Sequence, residues 1–228
     1  MAQETKLKRK DLKEPDQFLV ASNEFLGFLD RNKGLLIGLL AGALLVGGGF
    51  LFIANQKKAE NLRMELLYSQ MTQLVNDGKG SSGDQLLTKL KTLLEQFKDG
   101  DPKSRAGLLL ADAQYRNKRY DAALTSFKAV RDQASPGTLN YYLALSGMAH
   151  SHESKLDFKQ AIIQYKQIID QPGDFPLFYA YLGLSRCYEL SKDIQNARLT
   201  LREMQNKFFE HSGLGKVNLA LKRLEDSA

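Results

Sequence analysis

Three histidines, one cysteine and scattered carboxylates are the side chains of this sequence best suited to catalysis or metal binding. His150 and His152 stand two residues apart. On a helix that spacing turns them to different faces, so they cannot chelate one metal ion. His211 stands alone, and no HExxH, CxxC, GxSxG or phosphate-loop pattern occurs. A lone cysteine excludes an intramolecular disulfide. With Leu184 and Tyr188 as neighbours, Cys187 reads as a small residue packed inside a helix pair. These residues predict no catalytic site, no cofactor and no metal. The formal net charge is +6, but Lys and Arg are interleaved with Asp and Glu along the chain. A nucleic-acid footprint needs basic residues clustered on one face, and none is predicted. With catalysis set aside, the question becomes which elements the chain builds and what they present.

The first element is a stretch without charge, Gly34 to Ala54, 21 residues long. As a helix it spans roughly 31 Å, close to the ~30 Å hydrocarbon core of a bilayer. Arg31 and Lys33 precede it, and Lys57 and Lys58 follow. It is too long for the apolar region of a cleaved signal peptide and lacks a small-x-small cleavage pair. We read an uncleaved single-pass transmembrane helix over 34–56, in contact with the lipid bilayer. Seven Lys and Arg precede the run (Lys6, Lys8, Arg9, Lys10, Lys13, Arg31, Lys33), against three close behind it (Lys57, Lys58, Arg63). The positive-inside rule then leaves the N-terminal tail cytoplasmic and the large domain outside. Within the tail, 1–33, Phe18, Phe25 and Leu29 fall near one helical face, and Asp16 after Pro15 can cap such a helix. Two readings stand open: an interfacial amphipathic helix, or an extension of the spanning helix. Gly34, Gly38 and Gly42 share one stripe of the span. Small residues four apart let membrane helices approach closely, so this stripe is a candidate helix-packing face beside the simpler reading of an anchor.

Behind the span, residues 57–228 repeat. Alanines recur at 123, 161 and 197, spaced 38 and 36 residues apart. Thirteen residues before each stands a large residue followed by a small one: Leu110-Ala111, Met148-Ala149 and Leu184-Ser185. Four residues after each stands a bulky residue: Phe127, Tyr165 and Leu201. Small residues at both positions let the two helices of a repeat approach, and the bulky residue fills the space between repeats. No repeat buries its apolar face alone, so they must stack. The pattern resembles the tetratricopeptide repeat, with Pro136 and Pro172 one residue from that family's closing proline. Repeats are expected at about 104–136, 142–172 and 178–210. A degenerate pair at 59–98 precedes them, with Met64, Leu67, Met71 and Leu74 on one helix and Leu86, Leu90, Leu93 and Phe97 on the next. Asp77 to Gly83 is a loop by composition. Leu214, Val217, Leu221 and Leu224 predict a capping helix over 213–226. The expected fold class is all-α: one N-terminal transmembrane helix, then an α-solenoid of tetratricopeptide-like helix pairs.

In such a stack the first helix of each pair lines the concave side. The repeat register places Arg105, Leu108, Asp112, Tyr115 and Arg116 there from the first repeat. Ser146, His150 and Glu153 follow from the second, and Tyr179, Leu182, Arg186 and Glu189 from the third. Aromatic, aliphatic and both signs of charge together suit an extended or unfolded peptide segment, or a partner helix.

The order of basic tail, Phe/Leu-rich helix, single span, Lys57-Lys-Ala-Glu60 and divergent repeats resembles the YfgM-like family of inner-membrane tetratricopeptide proteins, ancillary subunits of the bacterial Sec translocon. The resemblance implies a bacterial inner-membrane protein with a cytoplasmic N-terminus and a periplasmic repeat domain. It further implies association with SecYEG and with a membrane-anchored periplasmic chaperone, in the handling of exported proteins. A scaffold for envelope assembly, or for another membrane machine, would share the same fold and anchor.

Overall fold

The computed structural model describes residues 17–77, 83–171 and 173–226, and every regular element among them is helical. The chain divides at Asn61 and Leu62 into two compact units.

The first unit holds α1 (Gln17–Arg31) and the first part of α2 (Lys33–Asp77). The two helices are separated by Asn32 alone. Its backbone N–H donates to Phe28 O and its carbonyl accepts from Leu36 N, so the i to i−4 ladder runs on between them. Phe25, Leu26 and Phe28 are exposed. Asp16, the proposed cap, and the five basic residues before it lie outside the described residues. The apolar stretch of α2 is long and apolar enough to cross a membrane, with none of its most apolar window buried. The expected span and the first helix of the degenerate pair are a single 45-residue helix here. No Gly or Pro lies between Phe50 and Asp77 to break it.

The second unit begins with the last part of α2 and continues through α3 (Gly83–Leu94). Three helix pairs follow: α4 (Asp101–Arg116) with α5 (Tyr120–Gln133), α6 (Leu139–Ser154) with α7 (Phe158–Asp170), and α8 (Phe178–Leu190) with α9 (Ile194–Lys207). The last helix is α10 (Leu214–Asp226). The five residues 78–82 of the expected Asp77–Gly83 loop, and Pro172, lie outside the described residues.

The sequence dictates each pair in the same way. Ala111, Ala149 and Ser185 on the first helices are buried, and so are Ala123, Ala161 and Ala197 on the second. With no bulk at these points the helices of a pair close on each other. Between them every pair turns through one left-handed residue: Lys118 (φ 59°), Leu156 (φ 61°) and Lys192 (φ 69°). Around each, two backbone bonds close the end of the first helix. Arg119 N donates to Gln114 O and Lys118 N to Tyr115 O; the same two bonds recur at Asp157 and Leu156, and at Asp193 and Lys192. This is the Schellman arrangement, built three times without the glycine that usually occupies it. Asp157 and Asp193 then cap the second helices through Gln160 N and Asn196 N. Arg119 takes the equivalent place in the first pair and instead grips Asp84 of α3 at 2.9 Å.

Stacking is set by a device the repeat pattern alone does not spell out. Phe127 of α5 lies against Gly147 of α6, where an added Cβ would stand 2.3 Å from the ring. Tyr165 of α7 lies against Gly183 of α8, where an added Cβ would stand 2.4 Å away. The bulky residues of the first two repeats therefore each seat on a glycine of the next. At the C-terminal end Leu201, a smaller residue, meets α10, whose Val217, Leu221 and Leu224 are buried in the same core as Tyr165, Ile168 and Met204. A fully buried side chain of this size contributes about 1.5–3 kcal/mol. At the other end Met64, Leu67 and Met71 of α2 pack with Leu86, Leu87 and Leu90 of α3 and with Leu110 of α4.

Candidate protein-binding face

The residues expected on the first helices fall into two kinds. The charged ones are engaged with other parts of the chain. Arg105 donates to Glu65 on α2 at 3.0 Å and lies 4.5 Å over the Tyr68 ring. Asp112 and Arg116 pair with each other along α4 at 2.8 Å. Arg186 on α8 donates to both carboxylate oxygens of Glu153 on α6, at 2.8 and 2.9 Å. Arg223 on α10 donates to both oxygens of Glu189 on α8, at 2.8 and 2.7 Å. Tyr115 and Ser154 share a hydrogen bond of 3.1 Å, which ties α4 to α6. The ladder thus links α2 to α4, α4 to α6, α6 to α8 and α8 to α10.

Glu153 is the most enclosed member, with 11% of its side chain exposed. Burial alone pushes its carboxyl up. The bonds from Arg186 and from the Tyr165 hydroxyl, the latter at 2.7 Å, outweigh that and hold it below the ordinary carboxylate value. Burial and the neighbouring Glu153 push both the Tyr165 hydroxyl and the buried Cys187 thiol up. A thiol held protonated is a poor nucleophile, which agrees with the packing role read for Cys187.

The uncharged members lie differently. Leu108 and Leu182 are half-buried and rest on the core, and Ser146 is half-buried as well. His150 is exposed on one side and sets its ring edge-on to Tyr165 at 5.9 Å. Partial desolvation, aided by Arg186 and opposed by Glu153, holds its imidazole below the ordinary value. Tyr179 is exposed, with edge contacts to Phe178 and His211. His211 itself stacks on Phe178 at 3.7 Å and accepts from Gly213 N through Nδ1, a structural place. Among the described residues, no group of three or more His, Cys, Asp or Glu is placed to hold a metal ion. On α2, an added Cβ at Gly34, Gly38 or Gly42 meets nothing within 4 Å.

A cleft of about 510 Å³ opens between α2, α4 and α6. Tyr68, Leu108, Leu109, Leu139 and Leu143 line it, with Asp101, Arg105, Thr138 and Asn140. Of the groove residues expected from the sequence, only Arg105 and Leu108 are brought into it. Leu143 was missed, yet it lies 38 residues after Arg105 and 36 before Tyr179, the same steps that separate the repeat alanines. Glu65, Tyr68 and Arg223, which complete the contacts on this face, belong to the helices before and after the three clear repeats and carried no such signal.

No protein-family model matches the chain, and no curated protein matches it in sequence. Solved structures match in fold. One is a Podosopora anserina protein assigned as a kinesin light chain with nearly identical TPR-like repeats. The match has 14% identity, a TM-score of 0.59, and covers 72% of this chain and 87% of that one. Its Q17M variant matches with the same identity and TM-score, over 72% of this chain and 86% of that one. At this identity the likeness establishes the fold. The chain carries a tetratricopeptide-like repeat stack and, among the described residues, one helix long and apolar enough for a membrane.

Proposed function

We propose that this chain is a membrane-anchored scaffold that holds other proteins, with residues 34–56 as its span and 57–228 as its binding domain. The observation that carries this reading is the pairing, in one chain, of an uncharged exposed helical stretch with a tetratricopeptide-like stack. A repeat stack offers an extended face rather than an enclosed site, which suits protein segments. The basic residues ahead of the span favour a cytoplasmic N-terminus with the repeat domain on the other side, and the resemblance to the YfgM-like family makes that membrane a bacterial inner membrane and that side the periplasm. In its finer form, the reading makes the chain an ancillary subunit of the Sec translocon, linking SecYEG to a membrane-anchored periplasmic chaperone. The order of tail, span and repeats supports that form. The exposed Gly34, Gly38 and Gly42 stripe would then pack on a partner's membrane helix.

Crosslinking in intact membranes followed by purification in mild detergent tests this directly. SecYEG subunits and a chaperone in the eluate are the expected result. Recovery of envelope-assembly components instead would replace the Sec reading with the assembly reading. Recovery of no protein partner would end both. Protease added to spheroplasts should cut the repeat domain, and protection there would reverse the orientation.

A further inference from the structure

We propose that α1 lies along the surface of the bilayer that α2 crosses, with Phe25, Leu26, Phe28 and Leu29 set into the boundary between headgroups and acyl chains. The inference rests on the reading of 34–56 as a span and goes beyond the scaffold reading, which gives α1 no task.

The two faces of α1 are unlike. At about 100° per residue, Phe25, Leu26, Phe28 and Leu29 fall within one arc, and Asn23, Glu24, Gly27, Asp30 and Arg31 fall within the opposite one. Phe25, Leu26 and Phe28 are 62%, 60% and 54% exposed, and Leu29 is half-buried. Val20 stands outside the apolar arc. Exposed apolar residues are ordinary when scattered, but these share one face of a 15-residue helix. A helix with one apolar and one charged face suits a lipid–water interface.

What covers that face follows from where the helix is tied. α1 ends at Arg31, and the uncharged stretch begins at Gly34. A helix rises about 1.5 Å per residue, so a straight run would carry Phe28 about 9 Å and Phe25 about 14 Å beyond Gly34. The headgroup layer on each side of a bilayer is only about 5–8 Å deep. Large apolar side chains would then stand in water beside a bilayer able to bury them. Turned along the surface, the same face enters the boundary by about 5–10 Å, while Glu24, Asp30 and Arg31 keep their water. Any other partner would have to be brought to this face, whereas the span holds the bilayer next to it.

Asn32 allows the turn. It is the turn residue between the two helices. Its N–H donates to Phe28 O, a bond that closes α1, and its carbonyl accepts from Leu36 N, a bond that opens α2. Each bond lies on one side of the junction, so a change of direction at Asn32 keeps both. Two side chains also secure the last turn of α1. Arg31 Nε donates to Gly27 O at 3.0 Å, and Asn32 Nδ2 donates to Phe28 O at 2.9 Å. Carbonyls at a helix end must otherwise find new partners, and here the donors are in place before the bend. Side chains that enter the backbone ladder in this way are among the causes of sharp kinks.

The chain has no tryptophan, so a single introduced one reports its own depth. The full chain is reconstituted in phosphatidylcholine–phosphatidylglycerol vesicles whose acyl chains are brominated, and tryptophan emission is compared with that in unbrominated vesicles. Phe25→Trp and Phe28→Trp report the apolar face, Asp30→Trp the charged face, and Leu45→Trp the middle of the span. All four side chains are exposed, so no packed contact is lost. With α1 on the surface, Phe25→Trp and Phe28→Trp should each lose at least about twice the fraction of emission that Asp30→Trp loses. That order holds although position 25 is five residues further from the span than position 30. In a straight run, quenching falls with distance from Gly34 and the order reverses, which overturns the proposal. So does free access of aqueous iodide to Phe25→Trp, the result expected if this face belongs to a protein partner instead. Leu45→Trp keeps the two readings apart. If it is quenched while Phe25→Trp is not, the surface helix fails and the span stands. If Leu45→Trp itself escapes quenching, the span reading fails, whatever position 25 shows.

Discussion

Gly147→Ala tests how the repeats are held together. Alanine in place of an ordinary helical glycine stabilises by about 1 kcal/mol. At Gly147 the new Cβ would stand 2.3 Å from Phe127 Cε1 and Cζ and 2.6 Å from Cδ1. Carbon atoms in good contact lie about 3.5–4.0 Å apart, so the ring must withdraw by more than 1 Å. It has little room, because Phe127 is itself buried, in one cluster with Ala111, Ala123 and Met148. Overpacking of this kind costs about 1–3 kcal/mol. Set against the helix gain, the net effect is a loss of about 1 kcal/mol. For a chain of this size that lowers the melting temperature by about 2–4 °C. Thermal unfolding of the full chain in detergent, followed by circular dichroism, measures it. Gly215→Ala on α10 is the control. A Cβ there meets nothing within 4 Å, so the change should be neutral or slightly stabilising. The double variant Gly147→Ala/Phe127→Leu should recover part of the loss, with a coupling of about 0.5–3 kcal/mol. A rise in melting temperature for Gly147→Ala, equal to that of Gly215→Ala, would refute the seating of Phe127 on Gly147.

Three further outcomes follow from the same geometry. Glu153→Gln should destabilise by about 1–2 kcal/mol at neutral pH. Because the folded carboxyl lies below its ordinary value, its contribution is present above about pH 4.3 and disappears as the pH falls through the folded value. Urea titrations of both proteins should therefore converge in acid, and a gap that stays constant down to pH 3 (well below that ~4.3 value) would contradict this. Leu156→Gly relieves a left-handed residue that costs roughly 1–2 kcal/mol against an unfolded-state entropy of about 0.5–1 kcal/mol, so a small gain in melting temperature is expected and a loss would count against strain at φ 61°. Asp157→Ala and Asp193→Ala should each cost about 1 kcal/mol through the lost cap, measured by the same melts; no change would show that these caps contribute nothing.

The repeat was legible because its signal is local. A small residue is required wherever two helices of a pair touch, so Ala123, Ala161 and Ala197 announce themselves by spacing alone. The seats for Phe127 and Tyr165 were harder to read. Gly147 and Gly183 are each two residues from the small positions that the repeat pattern uses, Ala149 and Ser185. Their meaning appears only when one repeat is laid on the next. The candidate face was legible in the helices that carry its residues but not in the contacts those residues make. Arg105, Glu153, Arg186 and Glu189 stand on the first helices as expected. Whether a charge there is available depends on the phase of a helix some 33 to 40 residues away, as for Glu153 with Arg186 and Glu65 with Arg105. Spacing within one helix carries no such information. Those charges are taken up in bonds between helices while Leu139 and Leu143 stay open beside them. The residues expected to face a partner thus also tie one repeat to the next, a role that only the packed stack reveals.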